Sequence, residues 1–139
     1  MKFDILKAAA MAGSLLVAAC ATTGSGDAGS GQQLSSKEWI VEDIAGRGVI
    51  DDSRASLLFG QDGRLSGSAS CNRIVAGYTV SGSKLTIDKA GLTMMLCPPA
   101  IMDQERRLVD VLNAVRSYRI DPTGALVLTS ATGATVTAR

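Results

Sequence analysis

The stretch from Gly67 to Pro98 decides the fold of this chain, and its two ends read Gly67-Ser68-Ala69-Ser70-Cys71-Asn72-Arg73 and Leu92-Thr93-Met94-Met95-Leu96-Cys97-Pro98. Apart from Cys20 near the N-terminus, Cys71 and Cys97 are the only cysteines. We predict that these two residues form one disulfide, which ties two parts of a small β-rich domain together. Closing a loop of about 27 residues stabilises a fold by roughly 3.5 kcal/mol when only chain entropy is counted.

The first twenty residues have the pattern of an export signal. Lys2 and Lys7 precede an apolar run over residues 8–19, which is shorter than the roughly 20 residues needed to span a bilayer. Val17-Ala18-Ala19-Cys20 resembles the bacterial lipobox, in which the cysteine thiol is acylated. We therefore predict a lipoprotein signal peptide over residues 1–19 and lipidation at Cys20. The alternative is ordinary cleavage near Ala19, which leaves Cys20 as a free thiol.

The residues after the signal predict a tether and a location. Residues 20–36 comprise the lipidated Cys20 and a Gly- and Ser-rich segment, which is the composition of a flexible linker. Ala21 stands where an Asp would favour retention in the inner membrane. We therefore expect an outer-membrane lipoprotein of the bacterial cell envelope that faces the periplasm, attached to the membrane through acylated Cys20. The folded domain is predicted to span residues 37–139.

The pattern of the domain predicts an α+β fold that is mostly antiparallel β: a small barrel or sandwich of about eight short strands with one α-helix packed against it. After Pro98-Pro99, apolar residues at helical spacing predict the helix, with Asp103–Arg107 and Arg106–Asp110 as ion pairs on a solvated face around Glu105. The segment from Ala90 to Leu96 is predicted as a strand or an extended loop. The other strands are predicted at 39–44, 56–59, 64–68, 78–80, 85–87, 116–120, 126–128 and 135–137.

The composition excludes several classes of function. Histidine is absent from the sequence, which removes Ser-His and Cys-His nucleophile pairs and histidine-based zinc sites. In residues 20–139, twelve basic side chains balance twelve acidic ones, so nothing favours nucleic acid as a partner. We therefore expect no enzyme activity, no catalytic residues, no metal and no cofactor. We also expect the chain to be a monomer. Cys71 and Cys97 could instead be redox-active or bind a metal, but they lack Cys-x-x-Cys spacing.

A few side chains in the central stretch allow a functional and a structural interpretation. Asn72 is interpreted as a turn residue that tolerates a positive φ, and Arg73 could pair with a nearby carboxylate. Met94, Met95 and Met102 could bind Cu(I) or form adaptable walls for an acyl chain or hydrophobic peptide, but packing in the core is preferred. Asp51 and Asp52 are interpreted as turn or cap groups rather than as an acid/base pair.

With these residues in place, the chain from Lys37 to Arg139 resembles the META/HslJ domain family. The resemblance implies a small β-barrel with a helix, found in secreted or lipid-anchored proteins that are associated with heat shock, antibiotic tolerance or virulence. Two departures are Ser70, where the family often has Gly, and Leu108, where an aromatic residue is usual. The fold is also similar to pilot lipoproteins of secretion systems. Positions that match the family motif, with no role assigned, are Cys71, Asn72, Arg73, Thr93, Met94, Met95 and Cys97.

Three functions remain open at this point. The first is a non-enzymatic envelope lipoprotein of the META/HslJ type with a role in stress or antibiotic tolerance. The second is a pilot-like binding module, which takes a lipid or a hydrophobic peptide in its barrel; the three Met residues favour this alternative. The third is an enzyme, which would require an organised polar pocket. An apolar cavity of several hundred Å³ would distinguish the second function from the first.

Overall fold

The structure is a computed structural model, and it describes residues 27–139. The predicted signal peptide at residues 1–19, the predicted lipidation at Cys20 and the predicted tether as far as residue 26 lie outside the described residues.

The described part begins with helix α1, Asp27–Leu34, inside the segment that was predicted to be a flexible tether. The Leu34 side chain is buried, and the indole N–H of Trp39 donates a hydrogen bond to the Leu34 carbonyl oxygen at 2.8 Å. A helix therefore occupies part of the segment predicted as a tether, and secondary structure begins before Lys37. The Gly-rich composition concealed the helix, because its stability comes from Leu34 packing into the core and not from helix propensity.

Ten β-strands follow, and eight of them close into an antiparallel barrel, which confirms the predicted fold class. The order around the barrel is β1-β3-β4-β5-β6-β8-β9-β10, and β10 pairs with β1 to close it. The short strand β2 pairs with β1, and β7 pairs with β5. The strands are β1 Glu38–Ile44, β2 Arg47–Gly48, β3 Ala55–Phe59, β4 Arg64–Ala69, β5 Arg73–Ser81, β6 Lys84–Ile87, β7 Gly91–Leu92, β8 Val115–Ile120, β9 Leu126–Ser130 and β10 Thr135–Ala138.

Alternation along the strands places the core inside the barrel. Trp39 and Val41 of β1 are buried, as alternation requires, and an irregularity between Val41 and Asp43 brings Ile44 into the core as well. Strand β5 is longer than predicted, because its first half pairs with β4 and its second half with β6, so that one strand serves both halves of the barrel. The segment predicted as a strand or loop from Ala90 to Leu96 forms only the two-residue strand β7 and then continues as a loop.

Helix α2, Pro99–Ala114, lies against strands from both halves of the barrel. Leu108, Val111 and Leu112 are buried on its inner face, so the departure at Leu108 leaves this position in the core. The predicted pair Asp103–Arg107 is wrong: Asp103 instead pairs with Arg106, one residue earlier on the exposed face. The pair Arg106–Asp110 is absent from the ion pairs within residues 27–139.

Gly67 allows β3 and β4 to approach closely, a role that glycine often has inside a strand. A Cβ atom built on Gly67 would overlap the carbonyl oxygen of Ser56 on β3, whereas a Cβ on Gly48 of β2 would have no contact closer than 3.9 Å. Since the obstacle at Gly67 is backbone, it cannot move aside as a side chain could.

We predict that Gly67→Ala lowers the free energy of unfolding by about 2 kcal/mol or more, since the backbone of β3 must shift. Gly48→Ala is the matched control and should change it by less than about 0.5 kcal/mol. Urea denaturation of both variants measures the difference. Equal stabilities would show that the two strands do not approach as described.

Candidate functional site

The predicted disulfide is present and joins the turn after β4 to the loop before α2. The Cα atoms of Cys71 and Cys97 are 6.4 Å apart. Cys97 is buried, and its sulfur accepts a hydrogen bond from the side-chain amide of Asn72 at 3.6 Å. Within residues 27–139, no three or more His, Cys, Asp or Glu side chains are grouped so as to hold a metal ion. The disulfide connects the two halves of the central motif.

A buried carboxylate lies beside this disulfide. Glu105 of α2 is only 2% exposed, so the prediction that it belongs to a solvated helix face is wrong. Its Oε1 atom accepts hydrogen bonds from the backbone N–H groups of Cys71, at 2.8 Å, and Asn72, at 2.6 Å. Its Oε2 atom accepts a third bond from the Asn72 side-chain amide, at 2.8 Å. These donors replace the water that a carboxylate loses on burial.

Two opposing effects act on the pKa of Glu105. Burial raises the pKa, but the hydrogen bonds from the Asn72 side chain and from the backbone of Asn72 and Cys71 together outweigh it, so the net pKa lies below the ordinary value of 4.5. The ionised carboxylate therefore stabilises the fold above pH 4.5. That contribution is lost as the pH falls through the lower pKa of the folded state.

Asn72 connects the carboxylate to the loop that follows β7. Its Oδ1 atom accepts hydrogen bonds from the Met95 N–H at 2.7 Å and from the Thr93 hydroxyl at 2.9 Å. Its Nδ2 group also donates to the Met95 carbonyl oxygen at 3.3 Å. Asn72 lies in the turn between β4 and β5, as interpreted, but its φ is not positive and its side chain is buried. The side chain instead fixes the Met95 backbone in place.

The positive φ belongs to Ser70, two residues before Asn72, at 126°. Side chains with a Cβ rarely adopt this conformation, which is the physical reason why Gly suits the position in related proteins. The Ser70 hydroxyl accepts a hydrogen bond from Gln104 of α2 at 2.9 Å. Gln104 is fully buried, and it also bonds to Ser53 and to the N–H of Ile50.

Gln104 and Glu105 therefore both hold the turn after β4 against α2, Gln104 through Ser70 and Glu105 through Cys71 and Asn72. Gln104 was not predicted as a site residue. The signal that could have revealed it is the pair of polar residues, Gln104 and Glu105, inside an apolar helical stripe. Its contacts fix the loop containing Asp51 and Asp52, which forms a turn, as interpreted, with Asp52 at a positive φ of 61°.

The methionines of the motif lie outside the core, contrary to the preferred interpretation. Met94 is 97% exposed, Met95 is 59% exposed and Leu96 is 94% exposed. Together with the half-buried Met102 of α2 they line a groove of about 280 Å³, which has Asn72 and Glu105 at its base. The groove lies between α2 and the loop, whereas the barrel interior is filled with buried side chains.

Arg73 does not take part in this groove. Its side chain is exposed and forms no ion pair among those found in residues 27–139. Its backbone contributes instead, because the Arg73 N–H donates to the Thr93 hydroxyl at 3.0 Å and its carbonyl oxygen accepts from the Thr93 N–H at 3.2 Å. The predicted motif residues thus meet at one place, and Glu105 is the residue that brings them together.

This architecture defines a class: a small antiparallel β-barrel with one packed helix, in which a disulfide and a buried carboxylate fix a loop beside an apolar groove. The META domain matches residues 32–139, and the chain belongs to the META domain family, as its motifs predicted. A comparison with curated proteins found no match to this chain. In the described part of the chain, no helix has the length and apolar character needed to cross a membrane.

Solved structures share the fold. A protein solved by NMR is 24% identical, covers 78% of this chain and 92% of its own, and has a TM-score of 0.60. A protein from Burkholderia xenovorans, also solved by NMR, is 22% identical with a TM-score of 0.62, covering 79% of this chain and 85% of its own. A DUF4847 family protein from Bacteroides vulgatus is 16% identical with a TM-score of 0.58, covering 76% and 92%.

We predict that Glu105→Gln lowers the free energy of unfolding at pH 7 by about 2 kcal/mol or more, because the new amide group faces the Asn72 amide donor. The stability gap to the wild type should narrow as the pH falls below 4.5, where the wild-type carboxylate takes up a proton. Asp110→Asn, at an exposed position of the same helix, is the control and should have little effect. Denaturation from pH 7 to pH 2.5 tests this, and a gap that does not change with pH would contradict it.

Proposed function

We propose that this protein is a non-enzymatic, lipid-anchored META domain protein of the cell envelope, which binds an apolar ligand in the groove beside α2. The anchoring part is supported by the Val17-Ala18-Ala19-Cys20 pattern and by Ala21, which favours the outer membrane. The binding part is a variant of the pilot-like alternative, with the ligand beside the helix instead of inside the barrel. A role in stress or antibiotic tolerance is the context that the family resemblance suggests.

One observation carries the binding proposal: the most exposed large apolar side chains of the described chain are neighbours. Met94 and Leu96 are almost fully exposed at the rim of an apolar groove. Contiguous exposed apolar patches on a folded domain mark interaction sites. Flexible Met side chains suit a surface that adapts to its ligand.

The polar groups at the base of the groove support binding rather than catalysis. Both oxygens of Glu105 are occupied by hydrogen bonds, and its pKa is lowered, so it is ionised and poorly suited to donate a proton near pH 7. The sequence offers no histidine that could assist it. The volume of about 280 Å³ is close to the lower end of small-ligand sites, for which about 300–1,000 Å³ is usual.

We predict that Met94→Ser/Leu96→Ser weakens binding of the apolar dye N-phenyl-1-naphthylamine at least fivefold, because the rim of the groove becomes polar. Leu58→Ser is the matched control, since Leu58 is an exposed apolar residue on β3 away from this groove. Dye fluorescence titration measures both. Equal dye affinity in the wild type and the double variant would argue against the groove as a binding site.

We predict that Cys20→Ser releases the protein from the membrane fraction, because the thiol that would carry the acyl chains is gone. The Ala21→Asp variant, in which Cys20 is intact, should move from the outer to the inner membrane. Membrane fractionation with intact mass measurement tests both variants. Membrane attachment of the Cys20→Ser variant at the wild-type level would refute the anchor.

A further inference from the structure

The inner edge of the loop after β7 is hydrogen-bonded like a strand. In the β5–β7 ladder, Ile74 stands opposite Leu92, and the next bond runs from the Thr93 N–H to the Arg73 carbonyl oxygen. Two residues further on, the Met95 N–H and carbonyl oxygen bond to the two ends of the Asn72 side-chain amide. Asn72 thus extends the ladder by one step beyond the end of the backbone pairing.

The outer edge of the same segment is open. The N–H and C=O groups of successive residues in an extended chain point to opposite sides, so Met94 and Leu96 direct theirs away from β5. Within residues 27–139, the backbone groups of Met94 and Leu96 have no hydrogen-bond partner. Their side chains are also almost fully exposed. The segment from Leu92 to Leu96, which we term the open edge, therefore combines free backbone groups with apolar side chains.

We propose that the open edge binds an extended apolar peptide segment, which adds as a further β-strand and places its side chains over the groove. The inference rests on the proposed function and names the ligand class for that site. In strand addition, backbone hydrogen bonds supply affinity and the adjoining apolar surface supplies specificity. Asn72 and Glu105 act as positioning residues here, because they hold the Met95 backbone and thereby keep the other side of the segment turned outward.

The size of the open edge favours a single peptide over a second copy of the folded chain. Five residues of strand extend over about 17 Å, at roughly 3.3 Å per residue. A stable dimer buries about 1,200–2,000 Å² and uses about 20–30 residues on each side. The open edge and the groove of about 280 Å³ are too small for that, but they match one strand of about five residues.

The free backbone groups favour a peptide over an acyl chain. An acyl chain could cover Met94 and Leu96, but it would also remove water from their N–H and C=O groups without replacing those hydrogen bonds. A peptide strand covers the side chains and pairs with the backbone at the same time. Because only one edge of the peptide would face the protein, the backbone groups of alternate peptide residues should contribute to affinity.

The test uses the full-length protein and random octapeptides displayed on phage, followed by synthesis of an enriched peptide. Two N-methylated versions are made, one methylated at the odd and one at the even residues. We expect one version to lose at least tenfold in affinity and the other to bind nearly as well as the parent, because only one edge of the peptide pairs with the protein. If both versions bind like the parent, strand addition is refuted and the peptide binds through side chains alone.

A pair of variants of the protein, instead of the peptide, tests the same inference. Met94→Pro removes the outward N–H and should weaken peptide binding at least tenfold, whereas Met94→Leu retains it and should bind normally. Unchanged binding to a folded Met94→Pro variant would refute the inference. If no peptide is enriched while the wild type still binds N-phenyl-1-naphthylamine, the peptide inference fails and the proposed function stands. If neither probe binds, both fail.

Discussion

The structure depends on how one carboxylate, Glu105, is kept away from water. An unpaired charge in that position would cost several kcal/mol, and no cation compensates it within the described residues. Three N–H donors from Cys71 and Asn72 satisfy it instead. These donors converge only if the turn between β4 and β5 presses against α2. The carboxylate therefore fixes the distance between helix and barrel, as a covalent link would.

The disulfide and the Glu105 carboxylate both hold the turn between β4 and β5, and together they fix the position of the open edge. The bond between Cys71 and Cys97 joins the two halves of the motif, and Asn72, next to Cys71, binds the Met95 backbone. On the inner side of the loop, the Thr93 N–H and the N–H and carbonyl oxygen of Met95 are hydrogen-bonded, which opposes outward rotation of the loop. Met94 and Leu96 remain exposed because their neighbours are held. Exposure of these apolar residues is therefore a consequence of the buried polar network beneath them.

The sequence predicts the features that arise from local pattern or from counting, and misses those that arise from distant partners. Alternation places Trp39 in the core, and the strand position of Gly67 indicates a close approach. Glu105 lies within an apolar helical stripe, but its donors are more than thirty residues away, so charge alone wrongly suggested a solvated face. Met94 is apolar and was expected inside, because nothing local reveals that its neighbour is held by Asn72. The family motif locates the site correctly, yet its geometry emerges only from tertiary contacts.

Backbone amide hydrogen exchange by NMR, in the free wild type and in Glu105→Gln, tests most directly whether the buried carboxylate holds the open edge. We expect slow exchange at Met95 and fast exchange at Met94 and Leu96 in the wild type, because only the Met95 N–H is bonded. In the variant, protection at Met95 should fall at least tenfold. Uniformly fast exchange from Met94 to Leu96 in the wild type, or undiminished protection at Met95 in the variant, would contradict the central role of Glu105.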